Sequence, residues 1–401
     1  GSKNSALPIL ASTLLFDEPV ELKNVPNVRD IQTMIKLLRL NKKIIIAKDK
    51  KKIKIYKINK KNTFCSYSIL KTMRAGILCL GGLISKYKSA VISFPGGCAI
   101  GTRPINYHLN ALKKLGMKYV VKKGYIHATA KNGLKGNNIR FKQISVGATE
   151  NLIIASILSH GTVILRHCAI EPEIKDLCNF LNSAGAKIKW IGKRTVKIVG
   201  VKKLNSTSYS VMGDRIETAT WCVLAVLTSG KLKINGFNNV KLIKKELDVL
   251  SKIGASIKCK ENQIEIQGKK SLKNINLITK EYPDPISTDM QAQFGVLLCK
   301  ANGKSTITER IFEHRFRWVA EARRLGAKIE IKGNKAIIEG NAKFQGTDLM
   351  SSDLRASVGL VLAAISSSGR SVVHRVYMLD RGMERFEHKL RSVGVDVKRI
   401  S

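Results

Sequence analysis

The 401-residue sequence lacks the features of a membrane or secreted protein. No apolar run approaches the roughly 20 residues that a membrane-spanning helix needs. The eight cysteines are scattered without C-x-x-C spacing, which argues against a compact disulfide framework. Aromatic residues are only 6% of the chain, but hydrophobic residues are 44%, enough for a buried core. These absences predict a globular protein of a reducing cytoplasm, with most cysteines buried and no membrane partner.

Acidic residues are scarce, with 29 Asp and Glu against 71 Lys and Arg and a net charge of +42. The lysines are spread along the whole chain beside abundant Ile and Asn, as a drift in genome base composition would produce. A basic stripe with interleaved aromatic residues, which is typical of a nucleic-acid surface, is missing. We therefore expect no nucleic-acid partner, and keep a dedicated nucleic-acid surface as the alternative explanation of the charge.

One signal recurs along the chain: an apolar residue, then Gly, then a strand-like segment. The five repeat glycines, spaced by 69, 69, 72 and 68 residues, are Gly116, Gly185, Gly254, Gly326 and Gly394. Such a glycine predicts a left-handed residue just past a helix end. An earlier copy of the signal has Asn41 in place of glycine, and Asn is the next-best residue for that conformation.

Alternating apolar residues around a Gly or Asn turn follow these signals, as in residues 255–268 and 327–340, and predict β-hairpins. Helices of small residues, apolar on nearly every face and therefore buried, complete the pattern. Their predicted starts are Ser2, Lys71, Ser145, Asp214, Ser287 and Ser352.

We count six β-α-β-α-β-β units, three in each of two domains at residues 1–212 and 213–401. Buried helices inside a ring of sheets predict an inside-out α/β barrel in each domain. The first unit begins at its helix, and the last reaches only the first hairpin strand, from Val395. We therefore expect a short segment ahead of Gly1 to complete the sheet of the last unit.

Two kinds of segment are candidates for chemistry. Residues 94–104 read FPGGCAIGTRP, in which glycines can expose backbone N–H groups to an anion and Cys98 could be a reactive thiol. A flexible turn with an incidental cysteine is the alternative. Charged residues also recur at the starts of the buried helices. Asp at such a position is usually a cap, whereas Arg is disfavoured by the helix dipole and needs a partner or ligand. The residues concerned are Asp214, Asp289 and Asp353 and, among arginines, Arg74, Arg215 and Arg355.

Six segments in register resemble the UDP-N-acetylglucosamine 1-carboxyvinyltransferase family of enolpyruvyl transferases. They are KNSALP from Lys3, PGGCAIGTRP from Pro95, STDMQAQF from Ser287, FEHRF from Phe312, SDLRAS from Ser352 and LDRGMERFE from Leu379. The resemblance covers essentially the whole chain. It implies two inside-out α/β barrels with the active site between them, and transfer of the enolpyruvyl group of phosphoenolpyruvate to the sugar 3′-hydroxyl, with loss of phosphate from a tetrahedral intermediate.

The resemblance also implies roles for individual residues. Cys98 would be the general acid and Asp289 the base, with Lys3 and Arg381 also catalytic. Phosphoenolpyruvate would contact Lys3, Asn4, Arg103, Arg355 and Arg381. The UDP-sugar would contact Asn4, Arg74, Arg103, Pro104, Ile105, Asn106, Tyr107, Gln143, Ile144, Ser145, Val146, Asp289, Ile311 and Arg315. No cofactor or metal is implied, and the oligomeric state is left open.

Three positions depart from the family pattern: Gln143 replaces a usual basic residue, Asn106 a usual Asp and Met378 a frequent His. The first two lie at the nucleotide end of the implied site.

Three alternative functions stay open. The shikimate-pathway enolpyruvyl transferases share the fold but have no matching cysteine loop. RNA-terminal phosphate chemistry would need a nucleophilic His motif, and the seven histidines form none. A non-catalytic relative would not be expected to retain the acid, base and arginines.

Overall fold

A computed structural model describes residues 1–41, 43–49, 51–57, 62–97, 100–101, 104–283 and 286–400. The chain forms two compact units, one from the chain up to Met212 and one from Gly213 onward, with Ile100 and Gly101 grouped with the second. Cys98 and Arg103, two residues of the implied site, lie outside the described residues. No helix within these ranges is long and apolar enough to span a bilayer.

The first unit is a set of small mixed sheets around buried helices. Its strands are β1 (Val20–Lys23), β2 (Lys43–Asp49), β3 (Lys52–Lys57), β4 (Phe64–Cys65), β5 (Ser89–Ser93), β6 (Lys118–Lys122), β7 (Tyr125–Thr129), β8 (Asn138–Arg140), β9 (Thr162–Arg166), β10 (Lys187–Gly192), β11 (Thr195–Val199) and β12 (Thr207–Ser210). Its helices are α1 (Lys3–Ser12), α2 (Arg29–Leu40), α3 (Tyr67–Leu70), α4 (Leu78–Tyr87), α5 (Asn106–Lys114), α6 (Val146–Ser156) and α7 (Pro172–Ser183). The sheets have the orders β12-β1-β3-β2, β4-β5-β7-β6 and β8-β9-β11-β10.

The second unit repeats this plan. Its strands are β13 (Lys231–Asn235), β14 (Ser256–Lys260), β15 (Gln263–Gln267), β16 (Asn276–Thr279), β17 (Lys304–Glu309), β18 (Lys328–Lys332), β19 (Lys335–Glu339), β20 (Asp348–Met350) and β21 (Val372–His374). Its helices are α8 (Arg215–Leu227), α9 (Lys244–Ile253), α10 (Gln291–Cys299), α11 (Trp318–Arg324), α12 (Leu354–Ile365) and α13 (Phe386–Ser392). The sheets are β13-β15-β14, β16-β17-β19-β18 and β20-β21.

The predicted fold class is confirmed. The order β16-α10-β17-α11-β18-β19 is one complete β-α-β-α-β-β unit. In the first unit α1, α4 and α6 contact one another and are buried along most of their length, because their apolar residues leave no polar face to turn toward water. Each core lies around such helices, with sheets outside. Among the described strands the sheets stay separate, so the ring is not closed by hydrogen bonds into one continuous barrel.

Two strands differ from the sequence expectation. β12 comes just before α8 in the chain, yet it pairs in parallel with β1, with Val20 opposite Thr207. It thereby adds a parallel strand to the sheet of the first repeat. The strand expected from Val395 is not formed in residues 395–400. In the fifth repeat the corresponding strand β18 lies at the edge of its sheet, and among the described strands it pairs with β19.

The repeat glycines behave as predicted, since all five have φ between 86° and 126°. The interpretation of Asn41 is wrong, because its φ is −83°. Asn41 is buried and ends α2, and its Nδ2 donates to the carbonyl oxygen of Phe64 at 3.2 Å. The amide therefore ties the helix end to β4, and the residue is needed for its side chain rather than for a left-handed backbone.

Candidate functional site

The glycine-rich loop begins in close backbone contact with the segment before α4. The N–H groups of Gly96 and Gly97 donate to the carbonyls of Leu70 and Lys71 at 2.9 and 3.2 Å. A β-carbon on Gly96 would lie 1.8 Å from the Lys71 oxygen, so only glycine fits there. The helix predicted from Lys71 accordingly begins later, as the 3-10 turn Arg74–Ile77 that leads into α4, because the loop takes the carbonyls that a helical turn would use.

Lys3 and Asn4 occupy the first turn of α1, after the N-cap Ser2. The Nζ of Lys3 lies 3.5 Å from Oδ2 of Asp30 at the start of α2. The hydroxyl of Ser5, which follows Asn4, donates to the buried carboxylate of Asp176 on α7. The start of α1 is therefore fixed from two neighbouring helices, which presents a cation at a defined place in the first unit.

A buried polar arrangement centred on Asn151, which we call the Asn151 network, lies near Arg74. The amide of Asn151 accepts the N–H of Gly81 at 2.9 Å, donates to the carbonyl of Ile77 at 3.1 Å and lies 3.0 Å from Nδ1 of His108. Since the amide oxygen is used by Gly81, the amide nitrogen faces His108, whose Nδ1 must accept. Burial, and next the charge of Arg74, lower the pKa of His108 to about 3, so the ring is neutral.

The two segments implied to bind the nucleotide lie together in the first unit. Asn106 and Tyr107 form the start of α5, after Pro104 and Ile105, and Ser145 caps α6 by accepting the N–H of Ala148 at 3.3 Å. The hydroxyl of Tyr107 donates to Oε1 of Gln143. Gln143, Ile144 and Val146 complete the second segment. The departures from the family pattern at positions 106 and 143 therefore fall within one contact region.

In the second unit, Asp289 lies between two arginines, an arrangement that we call the Asp289 centre. Its Oδ1 is 2.7 Å from the guanidinium of Arg315 and its Oδ2 is 2.8 Å from that of Arg355. The arginine side chains are 4% and 6% exposed, whereas the Asp289 side chain is 25% exposed. The carboxylate is thus the accessible member of a mostly buried ionic cluster.

The other two helix-start aspartates are ordinary caps. Asp214 accepts the N–H groups of residues 216 and 217, and Asp353 accepts those of Arg355 and Ala356. At the equivalent place before α10, Ser287 accepts the N–H of Asp289 and serves as the cap. The carboxylate of Asp289, in contrast to the two capping carboxylates, binds two guanidinium groups.

The remaining implied residues of the second unit lie in turns. Ile311 follows β17, and its N–H donates to Glu309 at 2.8 Å. Arg381 ends the 3-10 helix Val376–Arg381, next to Asp380, whose carboxylate pairs with Arg399 at 2.6 Å. Sequence reasoning did not single out Glu309 or Asn151, because a buried polar residue on a strand end or apolar helix gives no local signal of its partners.

The arginines at helix starts were expected to need a partner or a ligand, and two of them have a partner within the protein. Arg355 pairs with Asp289, and the guanidinium of Arg215 lies 5.7 Å from the ring centre of Tyr282.

Six of the seven described cysteines are buried and Cys259 is exposed. Burial raises the pKa of thiols such as Cys79 to about 12, as expected of inert core cysteines. The described residues contain no cluster of three or more His, Cys, Asp or Glu that could hold a metal.

Comparisons with known proteins agree with this architecture. The family model for EPSP synthase (3-phosphoshikimate 1-carboxyvinyltransferase) matches residues 1–390. The enolpyruvyl transferase NikO from Streptomyces tendae has a TM-score of 0.87 at 21% identity, covering 99% of this chain and 94% of NikO. EPSP synthase from Acinetobacter baumannii has a TM-score of 0.78 at 17% identity, covering 99% and 95%. These two likenesses establish the fold.

Sequence relatives are more specific. A UDP-N-acetylglucosamine 1-carboxyvinyltransferase of Pelagibacter ubique is 55% identical over 401 residues, which is 100% of this chain and 95% of the relative. One of Coxiella burnetii is 43% identical over 404 residues, covering 100% and 92%. With matches of this extent, the chain belongs to the UDP-N-acetylglucosamine 1-carboxyvinyltransferase family of transferases, within the wider EPSP synthase family.

Proposed function

We propose that this chain transfers the enolpyruvyl group of phosphoenolpyruvate to the 3′-hydroxyl of UDP-N-acetylglucosamine, releasing phosphate, in the cytoplasmic first committed step of peptidoglycan synthesis. The observation that carries the proposal is the 55% identity over the full chain to a relative named for this reaction. The Asp289 centre supports it, because the reaction needs a base among cations and Asp289 is not used as a cap.

In the proposed mechanism Asp289 accepts the proton of the sugar hydroxyl, whose oxygen attacks C2 of phosphoenolpyruvate, while Cys98 gives a proton to C3. The tetrahedral intermediate then returns a C3 proton to the Cys98 thiolate as its bond to phosphate breaks, which restores the double bond and the thiol. Oδ1 of Asp289 accepts a hydrogen bond from the Arg315 guanidinium, and Oδ2 accepts one from the Arg355 guanidinium. Arg315 and Arg355 hold both oxygens in place while the proton moves.

Phosphoenolpyruvate has two anionic groups on adjacent atoms, so several cations must converge on it. We assign this role to Lys3, Arg103, Arg355 and Arg381, with Asn4 beside them. The UDP-sugar is assigned to Arg74, residues 103–107 and 143–146, Ile311 and Arg315. The contact of Tyr107 with Gln143 supports grouping the two nucleotide segments.

The test is phosphate release from phosphoenolpyruvate with either UDP-N-acetylglucosamine or shikimate 3-phosphate as acceptor. We expect release with the UDP-sugar and its loss in Cys98→Ala. Cys259→Ala is the matched control, since Cys259 is the exposed thiol of the second unit and has no proposed role. Release with shikimate 3-phosphate alone would contradict the proposed acceptor and retain the donor.

A further inference from the structure

Glu309, at the end of β17, joins two turns that carry residues of the proposed site. Its Oε1 accepts the backbone N–H groups of Ile311 and Phe312 at 2.8 and 3.2 Å. Its Oε2 accepts the hydroxyl of Thr288 at 3.0 Å. One buried carboxylate therefore connects the turn that contains Thr288 and Asp289 with the turn that contains Ile311.

The environment of Glu309 indicates that its carboxylate serves to hold neighbouring groups in place. Glu309 is 3% exposed, and no described Lys, Arg or His lies within ion-pair distance of it. Burying a carboxylate is costly unless donors surround it. Three donors do so here, and all three belong to residues next to, or part of, the proposed sugar-binding and catalytic segments.

The turn before α10 is fixed from a second direction. The Nε of Arg315 donates to the carbonyl of Thr288 at 3.0 Å, while the same guanidinium binds Asp289. Thr288 is thus held through its carbonyl by Arg315 and through its hydroxyl by Glu309. Loss of either contact would let Asp289 move relative to Ile311.

We propose that Glu309 is a positioning residue, which fixes the base Asp289 and the sugar contact Ile311 relative to each other for the acceptor hydroxyl. This inference rests on the proposed function for the identity of the acceptor. The connection between the two turns is a property of the second unit alone. It can therefore be measured with and without turnover.

The kinetic test compares Glu309→Ala with Glu309→Gln. The alanine variant removes the acceptor for all three donors, and we expect kcat to fall about 100-fold, as a displacement of reacting groups by about 1 Å can cause. The KM for UDP-N-acetylglucosamine should rise more than the KM for phosphoenolpyruvate. Glutamine keeps one oxygen for the two N–H groups and can donate to the Thr288 hydroxyl, so it should restore most of the activity.

Two threonine variants separate positioning from folding, should Glu309→Ala not fold. Thr288→Val removes only the hydroxyl bonded to Glu309, and we expect a smaller fall in kcat in the same direction. Thr306→Val is the matched control, because Thr306 is on the same strand and donates to Asn276 at 2.9 Å. Its kinetics should equal those of the unchanged protein.

Hydrogen exchange tests the connection independently of the reaction. In the unchanged protein the amides of Ile311 and Phe312 should exchange slowly, and in Glu309→Ala they should exchange faster, with protection kept in Glu309→Gln. Equal exchange in all three proteins would overturn the proposal, as would kinetics of Thr288→Val identical to Thr306→Val. An unchanged protein active only with shikimate 3-phosphate would refute the proposed acceptor, and the same variants would then be compared with that acceptor.

Discussion

The two units differ in the polar groups that lie between their buried helices: those of the first unit are neutral and those of the second are charged. The second and third repeats of each unit bring two buried helices together, α4 with α6 and α10 with α12. In the first unit the polar residue between them is Asn151, whose amide is hydrogen-bonded to neutral groups. In the second unit the starts of the two helices carry Asp289 and Arg355, which form an ion pair. One pair of helices is joined by a neutral network and the other by charges.

The difference follows from exposure. Asn151 is fully buried, where neutral groups that satisfy one another are far cheaper than charges. The Asp289 side chain is 25% exposed, so its charge is partly hydrated and a ligand can reach it. The neutral network therefore joins backbone groups of the first unit, and the ionic centre holds the accessible carboxylate that we propose as the base in the second.

The strongest test of the comparison is Asp289→Asn. Asparagine keeps the size of the side chain but cannot take a proton from the acceptor, so kcat should fall by about 10²–10⁴. Phosphate release at saturating substrates measures this. Asp214→Asn is the control, because Asp214 acts as a cap and Asn is an equally good cap. A kcat of Asp289→Asn close to that of the control would show that Asp289 is not the base.

The next test acts on the neutral network. Asn151→Leu has nearly the same volume but leaves the Gly81 N–H, the Ile77 carbonyl and the Nδ1 of His108 without their partner. Each such group costs about 1–3 kcal/mol, so the free energy of unfolding should fall by about 3 kcal/mol or more. Urea unfolding measures the loss. Asn137→Ala removes an exposed amide bonded to Lys114 and should cost less than about 1 kcal/mol. Equal losses would show that Asn151 is not structural.

Much of this organisation was predictable from the sequence, because it depends on local patterns. The repeat glycines indicated helix ends through backbone conformation alone, and the apolar helices indicated burial. Ser287, two residues before Asp289, even carried the signal that the cap position was already filled. The sequence could not show that β12 pairs with β1, since that pairing joins residues 187 positions apart.

The partners of buried polar side chains were the other feature that the sequence could not predict. Asn41 looked like a glycine substitute because its place in the repeat was visible, whereas its bond to Phe64 was not. Glu309 and Asn151 were not identified for the same reason. A carboxylate or amide in an apolar stretch has the same local sequence whether it binds backbone, a cation or a ligand. Only the tertiary contacts distinguish these cases.

The smallest expected effect is the pH dependence of stability that arises from His108 in the neutral network. The pKa of His108 is lowered from its usual value near 6.5 to about 3 in the folded protein. Below about pH 6.5 the unfolded chain therefore takes up a proton that the folded chain refuses, and the free energy of unfolding falls by up to about 1.4 kcal/mol per pH unit down to about pH 3. The stabilisation is fully present above pH 6.5 and is lost on acidification.

His108→Gln isolates this effect, because the glutamine oxygen can still accept from Asn151 but does not titrate. Between pH 7 and pH 5 the unchanged protein should lose about 2 kcal/mol more than the variant, measured by urea unfolding at both pH values. Burial raises the pKa of Glu150, which acts in the opposite sense, but it is present in both proteins and cancels in the difference. A variant as acid-sensitive as the unchanged protein would mean that His108 is already charged in the folded state, and the first unit would then hold a buried charge as the second unit does.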